Sequence, residues 1–184
     1  MRGVDLLRMQ LLGSCNLVAE HALPAEPRWT ARAFDGASRP GFVLWHCARI
    51  IDWGVHTVVR DVPELGSAPQ WRDRVRYDMG HGAGLTDEEA DSVAAAVGAA
   101  DIVDYASALR QTIAGWLDTV DDADLDAIPD LRARNAVHPR YVTPEAWQEI
   151  EGLEGLPAWQ VLARPCGAHI RVHIGELETL AQLL

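Results

Sequence analysis

The sequence predicts an all-α protein, folded as a four-helix bundle with a long excursion between its third and fourth helices. Four long stretches carry apolar residues at the spacing of amphipathic helices, and proline, glycine or capping residues stand near their ends. No convincing series of alternating apolar and polar residues indicates a sheet. At 184 residues the chain can bury a substantial core, and we expect one domain over residues 1–184.

Prolines delimit the first two predicted helices. The first covers residues 4–22, and Pro24 and Pro27 end it, because a proline inside a helix removes a backbone hydrogen bond. The second follows Pro40 and runs to about Arg60, where Asp61-Val62-Pro63 closes it. Residues 64–85 are glycine-rich and predict a loop.

A capping motif and a proline mark the later helix starts. Thr86 and Glu89 form a capping box that opens a short helix, and residues 100–119 give the third long helix. The excursion, residues 120–166, begins with an acidic stretch and includes a short helix that starts at Thr143-Pro144. We expect at most short extended pieces at 136–143 and 158–164. The last long helix then runs from about Gly167 to the C-terminus.

Charge and cysteine content restrict the classes of protein. The chain has 16 Lys and Arg against 27 Asp and Glu, a net charge of −11 with histidine neutral. This charge repels nucleic acid and anionic membranes, so we expect neither as a partner. No apolar run is long enough for a transmembrane helix, and the first residues lack a signal-peptide core. Three scattered cysteines match no disulfide framework, and we expect a cytoplasmic protein.

Histidines on two predicted helices indicate a metal site. His169 and His173 lie one turn apart on the last helix, and Glu176 follows on the same face. Val172, Leu180 and Leu183 make the rest of that stripe apolar. On the second helix, His46 lies in the middle of another apolar stripe. Imidazoles that face a core from two helices can converge on one divalent ion, and three protein ligands leave a coordination position open.

Other residues offer alternatives. Glu176 is a candidate general base, or an acceptor that fixes the tautomer of a histidine. Arg49, at the edge of the His46 face, is a candidate clamp for a substrate carboxylate or the partner of Asp52 or Glu176 in an ion pair. A compact zinc site of Cys166 with His169 and His173 is a further alternative.

The remaining cysteine and histidines have minor expected roles. Cys47 is expected to be a buried apolar residue. His56 and His138 are expected on the surface, His21 near the mouth of the cavity, and His81 in a flexible loop where it could serve as a lid residue. Trp45 and Trp53 are expected in the core.

Two segments resemble a known family. Leu44-Trp45-His46-Cys47-Ala48-Arg49 resembles the second-helix segment of the DinB-like superfamily, and His169-Ile170-Arg171-Val172-His173 resembles its C-terminal HxxxH segment. The stretch Gly80 to Glu89 is similar to the region that leads into a helix in some members, and the resemblance covers nearly the whole chain in helix order. It implies a four-helix bundle, often a homodimer, with zinc or nickel on His46, His169 and His173.

The superfamily includes mycothiol-dependent maleylpyruvate isomerases and bacillithiol S-transferases. The resemblance therefore implies a metal-dependent enzyme in which a low-molecular-weight thiol attacks a small electrophilic substrate. The isomerase branch has a carboxylate where this chain has His169. This difference from the family pattern argues against the isomerase reaction itself. Two other hypotheses remain open: metal-assisted hydrolysis with Glu176 as general base, and a metal-binding bundle with no catalytic role.

Overall fold

The computed structural model describes residues 3–184, and most of these residues lie in helices. No β-strand occurs within these residues, so the prediction of an all-α protein is confirmed. The extended pieces predicted at 136–143 and 158–164 were wrong. The first region contains the 3-10 turn Pro139–Val142 and the second the helix Ala158–Ala163, whose Ala158, Val161 and Leu162 are buried at helical spacing.

The helices run in the following order: α1 (Gly3–Ala25), α2 (Pro40–Asp52), α3 (Asp87–Ala96), α4 (Ala99–Leu117), α5 (Asp122–Leu125), α6 (Leu131–Asn135), α7 (Pro144–Ile150), α8 (Ala158–Ala163) and α9 (His169–Leu183). α2 continues through the π-helical segment Trp53–Arg60, and the π-helical segment Arg164–Ala168 joins α8 to α9. α9 thus begins close to the predicted start near Gly167, and the π-turn, which contains Pro165, extends the helical stretch back to Ala158.

Local signals account for the helix starts that the sequence predicts. Pro40 occupies the first turn of α2, where its missing N–H has no helical partner to lose. At α3, the backbone N–H of Glu89 donates to Thr86 Oγ1 over 3.2 Å while the Glu89 carboxylate accepts the Thr86 N–H over 3.0 Å. At α7, Thr143 Oγ1 accepts the Ala146 N–H over 3.2 Å.

The four longest helical stretches enclose a common apolar core. α1 packs along α4, and both contact α2, which also contacts α9. Cys47 is buried in this core, as predicted, and so is the second apolar stripe of α9: Ile170, Ile174 and Leu177. Val172 and Leu183, expected beside the histidines on a core-facing stripe, are instead 69% and 60% exposed. The histidines of α9 therefore lie at the border between its buried and exposed faces.

The two π-helical segments approach each other closely. Gly54 faces Cys166, and a Cβ atom at position 54 would overlap the Cys166 sulfur. The Cys166 thiol donates to the Ile50 carbonyl at 3.6 Å. This contact holds Arg164–Ala168 against α2, just before His169 begins α9.

The excursion between α4 and α8 covers the second half of the α2 stretch. Trp53 Nε1 donates to Asn135 Oδ1 over 2.7 Å, and Arg134 donates to the carbonyls of Val58 and Val59 over 2.6 and 2.9 Å. These carbonyls lie near the helix end, where intrahelical donors run out.

Among residues 3–184, no single helix is both long and apolar enough to cross a membrane. Asp87–Ala96 and Ala99–Leu117 reach the required length and composition only as a pair, and that pair is bent by 89°.

Candidate metal centre

His46, His169 and His173, called the histidine triad below, come together between α2 and α9. Nε2 of His169 lies 3.0 Å from Nε2 of His46 and 3.0 Å from Nε2 of His173. The rings stand nearly perpendicular to one another, with interplanar angles between 82° and 85°. One ligand atom from each histidine lies within 4.8 Å of the others, so the triad could bind one metal ion.

The hydrogen bonds at the far side of the rings determine the tautomers of two histidines. Nδ1 of His46 lies 2.5 Å from the His81 carbonyl oxygen, and Nδ1 of His173 lies 2.8 Å from a Glu176 carboxylate oxygen. Both oxygens only accept, so both Nδ1 atoms carry the proton and both Nε2 atoms present a lone pair.

This tautomer assignment leaves the triad short of protons. A neutral His169 can donate Nε2–H to one of its two neighbours, so at least one of the 3.0 Å contacts joins two lone pairs unless a cation lies between them. For ligands about 2.0–2.1 Å from a tetrahedral zinc ion, the N–N separation is about 3.3 Å. The donor set and its spacing therefore fit a divalent metal after a shift of a few tenths of an ångström.

Burial also favours the neutral, metal-binding form of these imidazoles. Desolvation, together with smaller effects of the neighbouring His173 and His169, lowers the pKa of His46 to about 3. Desolvation likewise lowers the pKa of His169 to about 4, with His173 adding to the effect. At neutral pH both imidazoles are therefore neutral, and a metal ion would not have to displace a proton from Nε2 of His46.

A cavity of 270 Å³ opens beside the triad, and we call it the triad cavity. His46 and His169 line one part of it, and its remaining wall is mainly apolar: Ile50, Trp53, Ala83, Ile150, Leu153 and Pro165. His81, Glu149 and Arg164 supply its other polar groups. An open coordination position next to such a cavity is typical of a site that receives a small molecule.

His81 was expected in a flexible loop, but its side chain is only 1% exposed. The ring packs 4.8 Å from the Tyr141 ring and 4.6 Å from the Trp53 ring, measured between centroids. The flanking glycines permit this burial, because Gly80 and Gly82 adopt positive φ angles of 68° and 107°. A Cβ atom on Gly82 would approach within 2.7 Å of His46 Nδ1.

Arg49 is fully buried, and its five N–H groups all have acceptors. The acceptors, which with Arg49 form what we call the Arg49 network, are Gly80 O, Asp52 Oδ2, Tyr105 OH, Glu64 Oε2 and Tyr141 OH. The predicted ion pair with Asp52 is present at 2.9 Å, joined by a second with Glu64 at 2.5 Å. The guanidinium therefore has no free donor for a substrate carboxylate, and its position indicates a structural role.

The Arg49 network and the histidine triad meet at one loop. Nε of Arg49 donates to the carbonyl of Gly80 over 3.1 Å, and the next carbonyl along the chain, that of His81, accepts Nδ1–H of His46. The charged network thus fixes the backbone that aligns the ring of His46. Glu176 performs the same alignment for His173 from within α9.

Two expectations about other histidines were wrong. His56 and His138 were expected on the surface, yet they are 3% and 4% exposed. Nδ1 of His56 lies 2.6 Å from Asp52 Oδ1, and His138 accepts the Arg140 N–H while its Nε2 donates to the Tyr77 carbonyl over 3.0 Å. Tyr77, the partner of His138 Nε2, lies 61 positions away in the chain, and helical periodicity does not reveal such a contact.

The alternative zinc site with Cys166 does not form. The Cys166 thiol is directed at the Ile50 carbonyl and is absent from the group of potential ligands found among residues 3–184. His21 lies outside the triad cavity and approaches Glu178 at 3.8 Å. Trp45 and Trp53 are both buried as predicted, and Trp53 also lines the triad cavity.

Comparison with known proteins adds no relative to these observations: no protein-family model, no curated protein and no solved structure matches the chain.

Proposed function

We propose that the protein is a divalent-metal-dependent enzyme acting on a small molecule, with His46, His169 and His173 as metal ligands. The observation behind this proposal is the convergence of three Nε2 atoms, two of them held as bare lone pairs, at the edge of a largely apolar cavity. Zinc and nickel are the metals we propose, since both suit imidazole ligands.

We further propose that the fold is a four-helix bundle of the DinB-like type. Its four members would be α1, the α2 stretch, α4 and the stretch that ends in α9, which share one core. The triad takes one ligand from the second member and two from the last, as the resemblance implies.

The proposed reaction is transfer of an electrophilic carbon to a low-molecular-weight thiol such as mycothiol. The thiol loses its proton to solvent, its sulfur lone pair forms the S–C bond, and the leaving group departs with its bonding electrons. A divalent metal would supply Lewis acidity that lowers the pKa of a coordinated thiol.

The protein contributes orientation and exclusion of water. The His81 carbonyl and the Glu176 carboxylate keep the ring planes of His46 and His173 fixed. The Nε2 lone pairs of these two histidines therefore converge without a change of side-chain rotamer. The apolar wall of the triad cavity, including Ile50, Trp53 and Leu153, removes water from the reacting groups.

The test combines metal analysis with thiol consumption. Wild-type protein is expected to retain about one metal ion per chain and to consume thiol when an electrophile is supplied. His46→Ala should lose both properties, whereas His21→Ala, a partly exposed histidine outside the triad, should lose neither. Full metal content in His46→Ala, or no thiol-dependent turnover over a broad electrophile panel, would contradict the proposal.

Glu176 separates this proposal from metal-assisted hydrolysis. Its bond to His173 Nδ1 favours an orienting role, for which Glu176→Gln should lower metal affinity about tenfold but leave turnover at saturating metal largely intact. If Glu176 were the general base, turnover would instead be lost entirely in the same variant. Turnover without added thiol, abolished in Glu176→Gln, would favour hydrolysis.

A further inference from the structure

His81 is a buried side chain without a hydrogen-bond partner for either ring nitrogen. Among the buried side chains of residues 3–184, unpaired polar atoms occur on Ser14, His56 and Asn135 as well, but His81 is the residue that has two of them and that also lines the triad cavity. An unsatisfied buried polar group is costly to a fold, so such a group in a cavity wall needs an explanation.

His138 provides a direct comparison. Its ring packs on Tyr141 at a centroid distance of 4.6 Å, much as that of His81 does at 4.8 Å, and it is also buried. Both of its nitrogens nevertheless bond to the backbone, Nε2 to Tyr77 and Nδ1 to Arg140. The stack on Tyr141 therefore does not require unpaired nitrogens, and those of His81 remain without a partner although the residue lines the triad cavity.

Arg164 supplies a second unpaired polar group to the same cavity. The exposed guanidinium has no hydrogen bond or ion pair within residues 3–184. The N–H of His169 donates to the Arg164 carbonyl, which closes a π-helical i→i+5 turn. Residues five apart are thereby stacked one turn apart, whereas in an α-helix they would point about 140° away from each other. The π-turn thus lets Arg164 and His169 line one cavity.

The remaining lining limits what can bind between these two groups. Glu149 is the carboxylate in the wall, and one of its oxygens accepts the Gly84 N–H over 2.8 Å. The other lining side chains are mainly aliphatic or aromatic. A cavity of 270 Å³ has room for a compact molecule with an apolar body.

We propose that the triad cavity binds a small amphipathic carboxylate whose uncharged oxygen, such as a ketone, accepts a hydrogen bond from His81 and whose carboxylate meets Arg164. His81 and Arg164 are then substrate-binding residues, and this assignment rests on the proposed function for the reaction that the cavity serves. Neutral histidine has one N–H donor, which matches a single oxygen of the ligand.

Three unreactive probes separate the two contacts. Benzoylpropionate carries a ketone and a carboxylate, its methyl ester lacks the charge, and phenylbutyrate lacks the ketone. By calorimetry, wild-type protein is expected to bind benzoylpropionate about tenfold more tightly than either relative. Equal affinity for all three probes, or no saturable binding of any, would overturn the proposal.

Each variant should erase one preference. His81→Phe keeps the stacked ring but no nitrogen, and it should bind benzoylpropionate and phenylbutyrate equally. Arg164→Gln should bind benzoylpropionate and its methyl ester equally. A His81→Phe protein that still prefers the ketone, or an Arg164→Gln protein that still prefers the acid, would refute the corresponding contact.

Stability and metal content complete the test. His138→Phe should lower the melting temperature because it strips partners from two backbone groups, while His81→Phe should not. If His81→Phe misfolds, His81→Gln offers an amide donor and should retain the ketone preference. Both cavity variants should keep wild-type metal content, so absence of metal from every protein would contradict the proposed function alone, without bearing on probe selectivity.

Discussion

Replacing Arg49 by lysine tests whether this residue holds the core together or clamps a substrate. The guanidinium donates five hydrogen bonds to five buried acceptors, on Gly80, Asp52, Tyr105, Glu64 and Tyr141. A lysine ammonium keeps the charge but has only three N–H donors on a compact head. At least two of the five acceptors therefore lose their hydrogen bond from residue 49 in Arg49→Lys.

The structure sets the size of the effect. Hydrogen bonds that involve a charged group contribute about 1.5–3 kcal/mol each, and all five bonds of the Arg49 guanidinium are of this kind. Losing two of them predicts a destabilisation of about 3–6 kcal/mol, a large part of the roughly 5–15 kcal/mol typical of a whole domain. The Asp52 and Glu64 carboxylates remain paired with a cation, so the loss stays below that of removing the charge.

Urea unfolding followed by circular dichroism measures this change through the midpoint and slope. Arg74→Lys is the matched control, since Arg74 is 41% exposed and pairs with Asp101 and Asp104 at the surface. It should alter stability by less than about 1 kcal/mol. If Arg49→Lys unfolds like the wild type but loses kcat/KM, Arg49 binds substrate and the structural interpretation is refuted.

Three further predictions concern the loop, the surface and the thiols. Gly82→Ala brings a Cβ within 2.7 Å of His46 Nδ1 at a positive φ, so metal affinity in a competition titration should fall at least about tenfold, while Gly115→Ala, with open space around it, should not change it. Asp91, whose pKa is lowered to about 2 chiefly by hydrogen bonds from Arg39, should contribute about 1 kcal/mol above pH 4. This contribution disappears as the pH falls towards 2, so Asp91→Asn and wild type should converge there in pH-dependent unfolding; a constant difference would contradict the assignment. Burial raises the pKa of the Cys15 thiol to about 12, and the other two cysteines are also buried with raised pKa values. Native protein should therefore leave an aromatic disulfide reagent unreacted until urea is added, and rapid native labelling would show that the core opens.

The helices and the triad were predictable because their signals are local. Prolines and capping residues mark where α2, α3 and α7 begin. A helical wheel puts His169 and His173 on one face, and His46 on an apolar stripe of a neighbouring helix. Convergence of the three histidines then requires only that those two helices pack together, as α2 and α9 do.

Contacts between distant segments account for the parts that sequence reasoning missed. The acceptors of Arg49 include side chains 56 and 92 positions further along the chain, on Tyr105 and Tyr141. His138 likewise bonds to Tyr77, 61 positions away in the chain. The glycines around His81 were a usable signal, because tight backbone turns can bury the residue between them. No local sequence pattern indicates the π-turn that starts at Arg164. The position of Arg164 in the cavity wall could therefore not be predicted from the sequence.

At position 81, the main chain and the side chain have different roles. The carbonyl aligns His46, and the imidazole forms part of the cavity wall. Any amino acid supplies that carbonyl, so substitutions at 81 can alter ligand preference while the metal ligands stay aligned. Gly80 and Gly82, in contrast, tolerate little change because their φ angles shape the turn. Random mutagenesis of the loop should therefore alter ligand specificity at position 81 and abolish metal binding at the two glycines. Position 81 is for this reason the first position to vary when a different ligand specificity is selected.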